Sequence, residues 1–381
     1  MTTAATHNEH ENTTEATLFV AFELSEKTWK LGFTTGHGQK PRERTVTARQ
    51  QERVLDEIAH AKRRMGLPAS AAVVRCYEAG REGFWLHRFL QAHGITNQVV
   101  DSSAIEVNRR RRRAKSDGLD VRQWLSMLMR YHHGERQVWQ VVKVPSVEAE
   151  DQRHLHRDLE TLKQERASTM TRIEGLLSRQ GLRVTSLTKL PEQLDARRLW
   201  DGSPLPPGLR RRVLRVYAQY TFLREQIAAV EAERRAQLQT SSDASIDKVR
   251  QLMQLKGIGI NGAWLLVMAF FGWRAFKNRR EVGALAGFTP TPYQSGESAR
   301  EQGMTKSGNR HVRWMTTELA WSWVRFQPDS ALSGWFRERF GGGGKRLRRI
   351  GIVAVARKLL IALWRFLETG VLPAGAVLKE G

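Results

Sequence analysis

A single cysteine, Cys76, is all the thiol chemistry this 381-residue chain carries, which excludes an internal disulfide and any multi-cysteine zinc site. It lies in the apolar run Ala71–Tyr77 and reads as a core thiol. No uninterrupted apolar stretch approaches the roughly 20 residues that span a bilayer. The best one, Gly351–Ala356, is broken by Arg357 and Lys358. Residues 1–17 lack the basic and apolar regions of a signal peptide, so they read as a disordered tail and the expected compartment is the cytosol. No short internal repeat is visible. Acidic residues are also scarce: 39 Asp and Glu stand against 62 Lys and Arg, a formal net charge of +23.

That excess points to a polyanionic partner, nucleic acid before anionic membrane. The charge is clustered, at Arg109–Arg113, Arg210–Arg212 and Lys345–Arg349, as phosphate contacts require, whereas a merely solvated surface spreads it. The length allows two or three cores.

From Thr17 to about Val142 the pattern is mixed α/β. Leu18–Leu24 reads as a buried strand, and Thr28–Thr34 as a second with Trp29, Leu31 and Phe33 on one face. Glu43–Thr47 follows as a third. Arg49–Met65 has helical spacing, with a strand over Ala71–Tyr77, a helix over Gly83–Ala92, a strand over Asn97–Val100, and Asp101 or Ser102 as the cap of a further helix. Three strands joined by short turns, then alternating helices and strands, fit a ribonuclease-H-like α/β domain over 18–145. In that layering, acids at neighbouring strand ends meet.

The segment 146–240 is long-helical. Apolar stripes (Leu155, Leu159, Leu162, Ile173, Leu176, Leu177, then Val213–Val230) flank a proline-rich loop, which predicts an antiparallel coiled-coil arm serving as a spacer or for dimerisation. The remainder, 241–381, reads as helical and Trp-rich. Leu252–Leu266, with Lys256, Gly257 and Gly259, matches a helix-hairpin-helix whose glycines let backbone amides reach a phosphate; an ordinary helical turn also needs glycine. Gly341–Gly344 reads as a flexible hinge before the basic Lys345–Ile350 and a final amphipathic helix.

Four acids stand where chemistry can use them: Glu23 and Glu78 end apolar strands, and Asp117 and Asp120 follow Arg109, Arg110, Arg111, Arg112, Arg113 and Lys115. Converging carboxylates can hold Mg²⁺, which takes hard oxygen ligands, and a pair of ions roughly 3.5–4 Å apart can clamp both oxygens of a phosphodiester displacement. Asp117 and Asp120, at i and i+3, share a helix face. The alternative is four solvated surface acids. Downstream, Ser295 precedes Gly296, with Ser298 three residues on; Lys306, Asn309, Arg310 and Arg313 supply phosphate-binding groups, and His311 is either a base or a further phosphate contact. Such a serine is either a turn residue or a nucleophile, and a nucleophile needs its proton removed and the oxyanion stabilised.

Taken in order, Val20–Ser25, Glu78–Gly80, Lys115–Asp120, Leu285–Pro290, Ser295–Gly296, Lys306–Arg310 and Ala354–Leu360 resemble the DEDD transposases of IS110-type insertion sequences (the IS110/IS1111 group), relatives of the Piv DNA invertases. The resemblance covers Leu18 to Leu367. It implies a RuvC-like N-terminal domain binding Mg²⁺ through Glu23, Glu78, Asp117 and Asp120. It further implies a C-terminal transposase domain whose Ser295 forms a covalent phosphoserine link to DNA. A structured guide RNA, dimers or tetramers, and a site combining one subunit's acids with another's serine are implied as well. The first acid of the family pattern is Asp; here it is Glu23, one methylene longer. The sequence leaves two other functions open: a metal-dependent nuclease in which water attacks, and a non-catalytic nucleic-acid binder.

Overall fold

The computed structural model describes residues 16–80, 82–101, 105, 117–295 and 298–380, with backbone alone at 117–119, 292–295 and 298–302. The chain divides into two compact units between Val144 and Pro145.

The first unit is built on a five-stranded sheet. Its strands are β1 (Thr17–Leu24), β2 (Thr28–Thr34), β3 (Arg42–Thr47), β4 (Ala72–Glu78) and β5 (Thr96–Val100), in spatial order β3-β2-β1-β4-β5. The first three form an antiparallel meander, while β4 and β5 run parallel to β1. Parallel neighbours need a crossover, and two helices supply it: α1 (Gln51–Arg64) and α2 (Trp85–Ala92). Alternation along β1 sorts the core. Leu18, Val20 and Phe22 pack with Trp29, Leu31, Phe33, Val54 and Leu86 on one face. Phe19 and Ala21 pack on the other with Val74, Cys76 and the apolar side of α3 (Asp117–His132). Each fully buried side chain of this kind contributes roughly 1.5–3 kcal/mol. Cys76 is buried there, which pushes its thiol up to about 12.

Strand and helix ends fall within about two residues of the sequence expectations. The cap expected at Asp101 or Ser102 is the exception: Ser102 lies outside the described residues, and the Asp101 amide donates to Gln140 O.

The second unit contains the long helices α5 (His154–Ser178) and α7 (Pro207–Thr240), preceded by the short α4 (Val147–Asp151). The two long helices run antiparallel: Lys163 bonds Glu231 at 2.7 Å near one end, while Ile173, Leu176 and Leu177 share a core with Val213 and Val216 near the other. The proline-rich connection is a structured cap rather than an open loop. It contains α6 (Leu190–Ala196), and Leu187, Leu190, Leu194 and Leu205 are buried in the same core.

Beyond lie α8 (Ala244–Met253), α9 (Ile260–Leu266) continued by a π-helical turn at Val267–Phe271, and α10 (Arg279–Leu285). A two-stranded hairpin, β6 (Pro290–Ser295) and β7 (Ser298–Met304), leads to α11 (Arg310–Phe326), α12 (Ala331–Phe340) and α13 (Lys345–Thr369). Their core centres on Trp264, Trp323, Leu359 and Leu363. The expected flexible hinge at Gly341–Gly344 is a tight turn. The Gly343 amide donates to Phe340 O, and a Cβ on Gly341 would lie 2.4 Å from Arg337 O. The basic run after it is not a separate segment but the first turns of α13.

Candidate functional site

Strand register brings the first two acids together. Phe22 pairs with Tyr77 across parallel strands, so the next residues, Glu23 and Glu78, stand side by side at the carboxyl ends of β1 and β4. Both line a cleft of about 130 Å³ with Ser25, Ala79, Gly80 and Glu82. Period-2 alternation puts both on the face that carries α3.

Packing sets the direction of α3. A Cβ on Gly32 would lie 2.2 Å from Val121 Cγ1, and Gly32 pairs with Ala21, two residues before Glu23. His132, at the far end of the helix, stacks edge-on against Phe19 at 5.2 Å. The helix therefore runs antiparallel to β1, and its start, with Asp117 and Asp120, lies toward the Glu23 end of the strand. Positive partial charge at a helix N-terminus favours carboxylates at such an edge. Asp120 is half-buried; the Asp117 side chain and Arg109–Arg113 and Lys115 lie outside the described residues.

An all-carboxylate donor set suits Mg²⁺. Among the described residues no three His, Cys, Asp or Glu side chains come close enough to hold one ion. The described part of the cluster is the Glu23–Glu78 pair, with Asp120 on the helix that approaches it.

Glu82 is the cleft residue that the sequence reading missed. It is buried, with Arg49 Nη2 at 3.2 Å from Oε1 and both Arg49 Nε and Trp85 Nε1 donating to Oε2 at 3.4 Å. Arg49 itself has a left-handed φ of 67°. Glu82 thus braces the cleft wall; its only sequence signal is an acid in a Gly-Arg-Glu-Gly turn. A second brace lies on the neighbouring strands: Lys30, the strand-register partner of Glu23, and Arg122 both bind Glu43, at 3.1 and 2.6 Å. These two bonds hold the Glu43 carboxyl below its usual range, outweighing the burial that raises it.

In the second unit, Ser295 and Ser298 are a register pair at the closing end of the β6–β7 hairpin; neither side chain is described. The hairpin base is built by two glycine motifs in backbone contact. Gly287 has φ +74° and Gly308 φ +110°. A Cβ on Gly308 would meet Leu285 O at 2.4 Å, and one on Gly287 would meet Ser307 O at 2.4 Å. The Asn309 amide donates to Leu285 O and the Thr305 amide to Thr289 O, both at 2.9 Å.

The expected phosphate-binding residues divide by environment. Lys306, itself at φ 54°, and Arg310 are exposed. Asn309 Oδ1 caps α11, accepting from His311 N and Val312 N. Arg313 Nη1 donates to Ala286 O at 3.1 Å, so this guanidinium also ties α11 to the Gly287 turn. Lys256 is exposed, but its amide donates to Val377 O and its carbonyl accepts from Gln327. Gly257, at φ 90°, packs on α11, where Ser322 Oγ donates to its carbonyl at 2.7 Å. The left-handed φ, with Phe326 Cβ 3.2 Å from where a Cβ would lie, favours glycine at Gly257. A Cβ on Gly259 would meet nothing within 4 Å, so that side of the turn is open. His311 Nδ1 lies 3.6 Å from Glu160 Oε2 on α5.

Residues 249–333 match the model of the transposase IS116/IS110/IS902 family. The chain is 40% identical, over 95% of its length and 94% of the other's, to y4rJ of Sinorhizobium fredii (strain NBRC 101917 / NGR234), named as a transposase. It is 26% identical, over 44% of its length and 48% of the other's, to the transposase for insertion sequence element IS1328 of Yersinia enterocolitica.

Proposed function

Because this chain belongs to the IS110-type transposases, we propose that it cuts and rejoins DNA through a phosphodiester to Ser295, with Mg²⁺ held by Glu23, Glu78, Asp117 and Asp120 and the target chosen by a structured guide RNA. The observation that carries the reading is the adjacency of Glu23 and Glu78 in one cleft at the edge approached by the start of α3. The sheet order, with an antiparallel meander followed by parallel strands, supports a ribonuclease-H-like, RuvC-like layering for this unit. The antiparallel α5–α7 pair supports a coiled-coil arm.

Bound Mg²⁺ would supply charge neutralisation at the phosphate oxygens. The chain's own residues do the rest. Glu23, Glu78, Asp117 and Asp120 would hold the ion. Ser295 Oγ forms a bond to phosphorus as the bond to the DNA bridging oxygen breaks; the hydroxyl proton passes to a base, and the departing oxygen takes up a proton. Attack by another strand's hydroxyl reverses the exchange and frees the serine. One phosphoester replaces another at each stage, so no nucleotide hydrolysis is needed. Exposed Lys306 and Arg310, which follow the hairpin, supply phosphate contacts. Ser298, the register partner of Ser295, is the second candidate nucleophile. The net charge of +23 supports binding of both DNA and RNA, and the family resemblance supports a homodimer or homotetramer.

Among the described residues no helix is long and apolar enough to cross a membrane.

The test is covalent capture. Protein, candidate guide RNA, Mg²⁺ and element-end DNA are denatured and resolved on a gel, with Ser295→Ala and Ser298→Ala in parallel. A protein-linked DNA band absent only from Ser295→Ala is expected. Cleaved DNA without linked protein would replace this reading with a water-attack nuclease. Binding without cleavage on authentic ends would replace it with a non-catalytic binder.

A further inference from the structure

The far end of the α5–α7 pair presents one side chain that folding does not account for. Trp200 is 93% exposed, although tryptophan is among the costliest side chains to leave in water. It does not sit on a loose loop. The Leu199 amide donates to Ser203 O at 2.8 Å and the Gly202 amide to Leu199 O at 3.0 Å. Asp201 Oδ1 accepts from both the amide and the hydroxyl of Ser203, at 3.0 and 2.6 Å. Arg198 and Pro204 close the turn as an antiparallel bridge. On either side, Leu199 and Leu205 are anchored in the core shared by α5, α6 and α7. The indole is thus held outward on a turn fixed at both ends.

The segment that carries it is cationic. From Arg179 to Arg215 the sequence holds nine Lys and Arg against three Asp and Glu. Two of those acids are engaged locally: Asp195 pairs with Arg210 at 2.7 Å, and Asp201 bonds Ser203. Arg198, Arg211 and Arg212 are exposed. A rigid exposed aromatic in a segment rich in exposed arginines matches what an unpaired nucleobase and its flanking phosphates require: a flat π-surface for the base and cations for the backbone. A fully paired duplex has its bases already stacked, so it would engage the arginines but not the indole. A protein surface fits less well, because the partner would need an acidic rim to meet this charge.

We propose that this tip is a second nucleic-acid site that captures an unpaired base on Trp200, with exposed arginines of the same segment (Arg198, Arg211 and Arg212) holding the adjacent phosphates. The site is independent of the chemistry at Ser295 and requires no cleavage.

The experiment uses the full chain and three probes of equal phosphate number: an RNA hairpin with an unpaired loop, its DNA counterpart, and a blunt duplex. Trp200→Ala should weaken binding to looped probes about fivefold or more, the loss typical of one stacked base. Trp200→Phe should restore most of it, and the blunt duplex should bind all three proteins alike. The fluorescence difference between wild type and Trp200→Phe should be quenched by looped probes only. Equal loss for the RNA and DNA loops would assign the contact to base and phosphate; loss for RNA alone would assign it to a structured RNA. The proposal is overturned by an unchanged affinity in Trp200→Ala or by the same loss on blunt duplex. It is also overturned by a change in self-association mass without a change in binding, which would make the tip a contact between copies of the chain.

Discussion

Glu23 and Glu78 occupy neighbouring positions on two parallel strands, one step beyond the Phe22–Tyr77 pair, and open into the same cleft. Two carboxylates side by side repel one another unless a cation lies between them. If they share Mg²⁺, Glu78→Gln should lower Mg²⁺ affinity at least about tenfold, a loss that even outer-shell partners of a metal can cause. Titration calorimetry on the uncleaving Ser295→Ala background separates this from activity. Glu23→Asp, which shortens the reach by one methylene, should keep more affinity than Glu23→Gln. Unchanged Mg²⁺ binding in Glu78→Gln would remove this residue from the metal site.

The docking of α3 depends on Gly32 having no side chain. A Cβ there would come within 2.2 Å of Val121 Cγ1 and 3.0 Å of Leu125 Cδ1. Gly32→Ala should therefore push the helix off the sheet and destabilise the unit by about 1–3 kcal/mol, the usual cost of overpacking. Val121→Ala deletes the clashing methyl. The double variant should be more stable than the sum of the two losses predicts, with a coupling of about 0.5 kcal/mol or more by denaturant melts. Strict additivity would mean that the helix is not seated on Gly32.

These two relationships show what the sequence made legible. The strands were readable because β1 and β4 are short apolar runs and β2 alternates Trp29, Leu31 and Phe33 onto one face. Once the strands are known, their terminal acids follow. The role of Gly32 was not readable, because its reason is Val121, 89 positions away and in another element. The same holds for Glu82, whose burial depends on Arg49 before α1, and for the Gly287–Gly308 contact across a hairpin. The proline-rich connection is hard to read for a different reason: prolines mark breaks, but Leu187, Leu190, Leu194 and Leu205 around them make a small core. The N-cap oxygen of Asn309 and the carbonyl-bound guanidinium of Arg313 are likewise visible only in three dimensions.

The hairpin that carries Ser295 should fail if its base is altered. Gly308 combines φ +110° with Leu285 O at 2.4 Å from any Cβ, so Gly308→Ala combines backbone strain with a collision against a carbonyl oxygen. A cost of about 1–3 kcal/mol or more is expected. The variant should lose covalent DNA capture at temperatures well below its melting point, because the loop that positions Ser295 is displaced first. Capture at the wild-type level in a folded Gly308→Ala would show that the hairpin base is not needed to place the serine.

Acid should weaken the second unit through His156. This imidazole is buried between α5 and its neighbours, and its pKa is pushed down to about 4. Desolvation is the main cause, and Arg234, His311, Lys163 and Arg157 add to it. Glu160 Oε1 lies 3.4 Å from Nε2 and would favour the charged form, but it is off hydrogen-bond geometry, and burial wins. The unfolded chain takes up this proton near pH 6.5, whereas the native state refuses it until about 4. Between those values the unfolded state binds more protons, so stability falls as pH drops through the window and is complete above it. The full loss is about 3 kcal/mol, of which about 2 should have accrued by about pH 5. His156→Gln removes the titration. Thermal unfolding of the full chain should show the variant losing less stability than wild type between about pH 7.5 and pH 5. Parallel losses in the two proteins would mean that His156 is reached by water and titrates normally.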